Sequence, residues 1–255
     1  MPSSPFNESL RRKRLLLRRA ARTENESAFF VQNAMAEEIL SRLGDMRRAF
    51  PRILATDFGP TIGKSAVKRA AKADDVFFVN EISLRADAVC ALGALPFKSE
   101  TFDAFIGPIP LHAITDVPGC LREWRRVLKK DGMLLAAFVG ETTLQSFRRA
   151  AIRAEEELSG RAVPRFYPFI DVKTAGMLLR SAGFDACVAD VDVVGAVYSR
   201  AKTLIEDVRI IGENGACGEG VPLPPRGWLN AVDAAFGNGE IDARFDVIYL
   251  TGIKE

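Results

Sequence analysis

The chain predicts an α/β fold: a mostly parallel sheet with helices on both faces. Three observations carry this. Short apolar runs alternate with amphipathic stretches between Arg52 and Gly140. Strands alternating with helices imply a parallel sheet covered on both sides. Two β-rich runs near the end, "ACVADVDVVGAVY" and "RFDVIYLTGIK", read as a final pair with no helix between them, which suggests an antiparallel edge.

In chain order, "RRKRLLLRRAAR" (Arg11 to Arg22) is a basic segment. It fits a targeting peptide, a membrane-surface helix, an arm for an acidic partner, or a solvated helix face. "AFFVQNAMAEEILSRLGDMRRAF" follows, with Phe30, Met35, Ile39, Leu43 and Met46 at helical spacing. "RILATDFG" is a buried strand, "GKSAVKRAAKA" a helix, "DDVFFVNE" a second strand, and "TFDAFIGP" another, short and apolar. "VPGCLREWRRVLKKDG" is a helix with Leu121, Trp124 and Leu128 on one face and Gly132 past its end. Asp116 stands where an N-cap belongs. "GMLLAAFVG" is a further strand; "TTLQSFRRAAIRAEEEL" and "DVKTAGMLLRSAGF" are helices; "ENGACGEGVPLPPRG" is a Gly/Pro-rich loop.

Composition narrows the chemistry. At 255 residues and 48% hydrophobic, the chain supports one large domain with a substantial core. A net charge of +2 does not call for a nucleic-acid partner. Cys90, Cys120, Cys187 and Cys217 form no CxxC pair and fit a reducing, cytoplasmic compartment. No apolar run spans a membrane, and no signal-peptide pattern is present. The single histidine, His112, excludes a His-rich zinc site and leaves no metal site expected.

The sharpest local signal is "TDFGPTIGKS". A Walker A loop places four residues between its first glycine and Gly-Lys-Ser/Thr. Here only three separate Gly59 from Gly63. The competing reading is a strand that ends on Asp57-Phe58-Gly59 and turns into a helix at Gly63. Ligands in open α/β sheets bind at the carboxyl ends of strands, near the switch in strand order. That groups this loop with Asn80-Glu81, where an acid can accept from both ribose hydroxyls, and with "CALGALPF".

A glycine loop after the first strand, an acid after the second, "LPF" followed by S-x-x-FD, and a strand ending P-x-x-LH together resemble a class I S-adenosylmethionine-dependent methyltransferase. Nearly end to end, "FNESLRRKRLLLRRAA", the segment from Pro96 to Arg148, "VPRFYPFIDVKTAGMLLRSAGF" and "RFDVIYLTGIK" resemble one branch of it. That branch is the respiratory complex I assembly factor with a methyltransferase fold, related to the malonyl-carrier-protein methyltransferase of biotin synthesis.

The resemblance implies a Rossmann-like class I methyltransferase fold whose seven-stranded sheet ends in an antiparallel last strand. It implies one domain, residues 27–255, after a basic segment 1–26: a cofactor-binding core 27–140, substrate or lid insertions with the edge strand 141–243, and the last strand 244–255. It implies S-adenosylmethionine as cofactor, held by Asp57, Gly59, Gly63, Glu81, Ala91 and Leu92, with His112 as catalytic residue. The acceptor would be a protein or small molecule, a complex I subunit among the candidates. Membrane contact would be peripheral, through the basic segment. Eukaryotic relatives are linked to arginine hydroxylation, so the alternatives are a hydroxylase, a chaperone of a complex I subunit, or a pseudo-enzyme.

Four positions depart from the family pattern. The middle loop glycine is Thr61, whose β-branch costs roughly 1–2 kcal/mol if αL is required. Pro60 removes a backbone N–H. Ala91 stands where the family has an acid, and a lost hydrogen bond there costs about 0.5–1.5 kcal/mol. Together these weaken the cofactor by roughly ten- to hundredfold. Ala113 also replaces an aromatic after His112. Structural alternatives stand beside each assignment: the glycines as a plain turn, Glu81 as a surface acid or cap, His112 as a satisfied polar residue. Arg148 and Pro164-Arg165-Phe166 either line a pocket or lie on the surface.

Overall fold

The computed structural model describes residues 26–59, 62–81, 86–163, 165–210, 222–237 and 239–255. The basic segment, Pro60, Thr61, Pro164 and most of the Gly/Pro-rich loop, with Cys217, lie outside the described residues. Helix α1 spans Phe30–Asp45 and buries Val31, Met35, Ala36, Ile39 and Leu43, the stripe its periodicity predicts. Strand β1 (Arg52–Ala55) leads into α2 (Lys64–Ala71), and β2 (Asp75–Asn80) into the two-residue β3 (Ala88–Val89). Next come β4 (Phe102–Pro108), α3 (Val117–Val127), β5 (Leu128–Val139), α4 (Gln145–Ser159) and α5 (Val172–Ser181). The chain closes with β6 (Cys187–Tyr198), α6 (Ala201–Ile210), α7 (Trp228–Ala235) and β7 (Ile241–Lys254).

Among the described residues the seven strands form one sheet in the order β3-β2-β1-β4-β5-β7-β6. β1 pairs in parallel with β2 and β4, β2 with β3, and β4 with β5. β7 runs antiparallel between β5 and β6. The period-two geometry of strands sorts the core into two layers. Ile53, Ala104, Ile106, Leu135 and Ala137 face α1, α2, α4, α6 and α7; Leu54, Phe105, Leu134, Ala136 and Phe138 face α3 and α5.

Two expectations are corrected. α3 stops at Val127, not at Asp131: Leu128 is already extended and pairs with Phe102 in β5. The "KKDG" that reads as a helix end is instead an irregularity within the strand, with Asp131 left-handed at φ 60°. Likewise, β6 and β7 do not follow one another directly, because α6 and α7 lie between them. Their apolar signals are short: Ala201 and Leu204 in one, Trp228 and Val232 in the other. The Gly/Pro-rich segment between them masks this weak periodicity. Trp228 Nε1 donates to the Ala151 carbonyl at 2.9 Å and seats α7 on α4. The expected N-cap is present, with the Asp116 carboxylate accepting from Gly119 N at 2.8 Å. No helix among the described residues is long and apolar enough to cross a membrane.

Candidate active site

The main cleft opens over the carboxyl ends of β1, β2, β4 and β5. It straddles β1 and β4, where the strand order reverses, which is where open α/β sheets hold their ligands. Of the residues expected from sequence, Asp57, Gly59, Glu81, Leu92 and His112 line it; Gly63 and Ala91 do not.

One wall is built from the ends of β1 and β2. Asp57 Oδ1 accepts from Gly59 N at 3.0 Å, closing an Asx turn. Asp57 Oδ2 accepts from Asn80 Nδ2 at 3.2 Å, linking the two strand ends. Asp57 therefore shapes the loop. Gly59 sits at φ +90°, a conformation that favours glycine. Gly63 is extended at φ −99° as the residue before α2, and a Cβ there meets nothing within 4 Å. Lys64 is paired with Asp87 at 2.5 Å, turned away from any P-loop role. Glu81 stands at the end of β2, with Val79 and Leu92 as apolar neighbours in the lining. Leu92 is fixed through its carbonyl, which accepts from Trp124 Nε1 at 2.8 Å.

The opposite wall is aromatic. His112, in a 3-10 turn after β4, is 3% exposed. Its ring lies 5.2 Å from Tyr167 and 5.3 Å from Phe169. Arg148 reaches in from α4, with Cζ 5.0 Å above the Phe169 ring and Nη2 donating to the Glu141 carbonyl. Burial pushes its guanidinium below the ordinary arginine value, against the opposing field of Glu141. Arg165 does not enter the cleft lining. It forms a paired contact with Glu155 at 2.5 and 2.8 Å and so anchors the segment carrying Phe166, Tyr167 and Phe169.

Sequence reasoning missed Gln32, Phe138, Phe169 and Val208 as lining residues. Gln32 had a usable signal: a polar residue beside Val31 on a helix otherwise read as core-covering. Among the described residues its Oε1 is buried with no hydrogen-bond partner, as is Arg148 Nε. Buried polar atoms are normally satisfied, so Gln32 offers the cleft an acceptor and Arg148 a donor not used by the described residues. The residues fit S-adenosylmethionine in kind: a carboxylate for the ribose diol, apolar side chains for the base, and an amide oxygen for an N–H donor.

Topology and cleft define a Rossmann-like α/β protein of the methyltransferase type. The family described as "Methyltransferase domain" matches residues 39–136. YcgJ from Bacillus subtilis shares the fold at a TM-score of 0.57 and 13% identity, over 87% of this chain and 98% of that one. The chain is 30% identical over 243 residues to "Arginine-hydroxylase NDUFAF5, mitochondrial" of Danio rerio, covering 88% of this chain and 75% of that protein. The human protein of that name is 29% identical over 272 residues, covering 98% and 76%. The chain belongs to the NDUFAF5 family. It is also 30% identical over 167 residues to the malonyl-[acyl-carrier protein] O-methyltransferase of Laribacter hongkongensis, over 63% of this chain and 54% of that one.

Proposed function

We propose that this chain binds S-adenosylmethionine in the cleft and transfers its methyl group to an acceptor held against the aromatic wall. The observation that carries the reading is the convergence of Asp57, Gly59, Glu81, Leu92 and His112 on one cavity. Glu81 would hold the ribose hydroxyls, Leu92 and Val79 the base, and Gln32 an N–H of the amino-acid tail. When bound, the cofactor supplies an electrophilic sulfonium methyl. The protein's part would be orientation and exclusion of water, with the His112 imidazole as the base that would accept a proton the acceptor releases. A protein acceptor is the natural substrate in this reading, and a respiratory complex I subunit is the one the family resemblance supplies.

Titration calorimetry of the full chain with S-adenosylmethionine tests this. Roughly micromolar binding is expected, weakened at least about tenfold by Glu81→Ala, since hydrogen bonds to a charged group are worth about 1.5–3 kcal/mol. No heat at millimolar ligand overturns it and leaves a protein that acts through its surface in assembly. The relatives' name favours a second reading, in which the same cleft takes an arginine side chain for hydroxylation. That reaction would need dioxygen and a two-electron reductant, the second oxygen atom leaving as water; mass spectrometry of arginine peptides after incubation with both, seeking one added oxygen, separates the two.

A further inference from the structure

We propose that the outer edge of β6 docks an extended segment of a protein partner, one that alternates basic and apolar side chains and adds to the sheet as a further strand. This surface lies apart from the cleft lining, and the inference does not depend on methyl transfer. The two edges of the sheet are unlike. β3 closes one side and is two residues long. β6 closes the other and runs for 12 residues, Cys187–Tyr198, in unbroken register with β7. Natural edges are blunted by shortness, by Lys or Pro, or by bulges. β6 contains no Lys, Arg or Pro, and no described strand pairs with its outer side.

Hydrogen bonds show which main-chain groups face outward. Ile253 N donates to the Ala186 carbonyl at 3.2 Å, so the even-numbered residues bond β7 and the odd-numbered ones turn away from it. Val193 N accordingly donates to the Asp192 carboxylate at 2.7 Å. Val191, Gly195 and Val197 share its parity. The side chains divide by face as well. Asp190 and Asp192 stand on the side of α1, where Arg42 holds Asp190 at 2.7 Å. Val191, Val193 and Val197 stand on the side of α5 and are 45%, 51% and 61% exposed. α5 lies against Cys187 and Ala189, at the start of the strand, and a Cβ on Gly195 would meet nothing within 4 Å. An added strand sets alternate side chains on opposite faces. Apolar ones of one parity would lie beside the valines, and basic ones of the other beside Asp190 and Asp192. A basic side chain there also draws the Asp192 carboxylate off Val193 N and releases that amide to the new ladder. A second copy of β6 complements the edge less well, because it brings the same carboxylates and no cation.

The experiment titrates the full chain with fluorescein-labelled peptides and reads fluorescence anisotropy. The probes are RVRVRVRVRV, its acidic counterpart EVEVEVEVEV, and RRRRRVVVVV, which keeps the charge and loses the alternation. The alternating basic peptide is expected to bind at least about tenfold more tightly than either control. Methylation of its alternate main-chain nitrogens should abolish binding, since strand addition uses main-chain hydrogen bonds. Val193→Pro removes an outward N–H and no bond to β7; it should weaken the peptide at least about tenfold and leave S-adenosylmethionine affinity unchanged. Asp192→Lys should weaken it as well. Amide exchange followed by NMR should show Val191, Val193, Gly195 and Val197 slowing when the peptide binds, while the even-numbered amides of β6 stay as they were.

Equal binding of the three peptides overturns the proposal, as does a preference for the acidic one. Binding that survives main-chain methylation overturns strand addition, and this holds even where Val193→Pro fails to fold. Slow exchange of the odd-numbered amides in the chain alone, at all concentrations, means that the edge is already covered by the chain itself and overturns it. A dimer in sedimentation equilibrium that Val193→Pro dissolves assigns the edge to a second copy and overturns the choice of partner. Failure of the chain to bind S-adenosylmethionine sinks the methyl-transfer reading instead and leaves the peptide series to decide this one.

Discussion

The two walls of the cleft are held in different ways. At the ends of β1 and β2, Asp57 bonds Gly59 two residues on and Asn80 on the adjoining strand. That wall is local chemistry on a rigid parallel sheet. The aromatic wall draws on three separate segments, carrying His112, Arg148 and Phe166 to Phe169. It is fixed from behind by Glu155 on Arg165 and by Thr142 and Thr143 on Asp246. A scaffold-borne wall suits a ligand common to a whole superfamily. A wall assembled from distant supports is free to differ between relatives, and it is where acceptor choice would reside. The two walls should therefore fail independently.

The largest test of that independence is Glu155→Gln. Glu155 and Arg165 are 4% and 14% exposed, and removing one partner strands a buried charge. We expect a loss of about 3 kcal/mol in chemical denaturation, with most of it recovered in the double variant Glu155→Met/Arg165→Met. Residual native protein should bind acceptor-like probes more weakly while holding S-adenosylhomocysteine as before. Equal loss of both ligands would show that the walls are one unit.

The loop glycines sharpen the comparison from the other side. Gly59→Ala forces a side chain into a left-handed conformation, at about 1–2 kcal/mol, and should weaken S-adenosylmethionine in calorimetry. Gly63→Ala meets no neighbour. The slightly poorer N-cap and the stiffer unfolded chain should cancel to within about 0.5 kcal/mol. Reduced affinity at Gly63→Ala without reduced stability would mean that a bound ligand, not the fold, needs that glycine.

What the sequence revealed follows the same division. The strand ends and the α3 cap at Asp116 were legible because each is signalled within a few residues; the antiparallel last strand was expected partly from a helix-free pair that α6 and α7 in fact separate, and only the family resemblance carried it soundly. The loop was legible as a departure from a pattern, although Pro60 and Thr61, which carry the departure, lie outside the described residues. Ala91 was assigned by alignment to "LPF", yet the lining passes from Asn80 and Glu81 to Leu92 and omits it. Arg148 and Arg165 looked alike in sequence. Only the tertiary position of Glu155, a residue of α4, makes one a structural pair and leaves the other facing the cleft. The helices α6 and α7 escaped because a Gly/Pro-rich stretch between them outweighed their short apolar periodicity.

The smallest effect concerns the corner that launches α4 and its Arg148. Gly140 N donates to the Asp246 carbonyl at 2.8 Å, Asp246 N donates to Thr143 Oγ1 at 3.1 Å, and the Thr142 hydroxyl bonds the Asp246 carboxylate. Burial raises the Asp246 carboxyl above its usual value, with the Thr142 backbone and Arg244 opposing. A raised carboxylate favours the protonated form in the fold. Its stabilising share is full below the unfolded value, about 3.9, and is lost as pH rises through the folded value. Asp246→Asn keeps an oxygen for Thr142 and removes the charge. The variant should match wild type near pH 4 and exceed it at pH 8, by under about 1 kcal/mol because the group is only half-buried. Thermal midpoints at the two pH values decide it. A gap that is flat with pH would mean that the fold leaves this carboxyl unshifted, and a variant weaker at pH 8 would mean that the ionised carboxylate is what braces this corner. The aromatic wall would then rest on charge rather than on neutral hydrogen bonds.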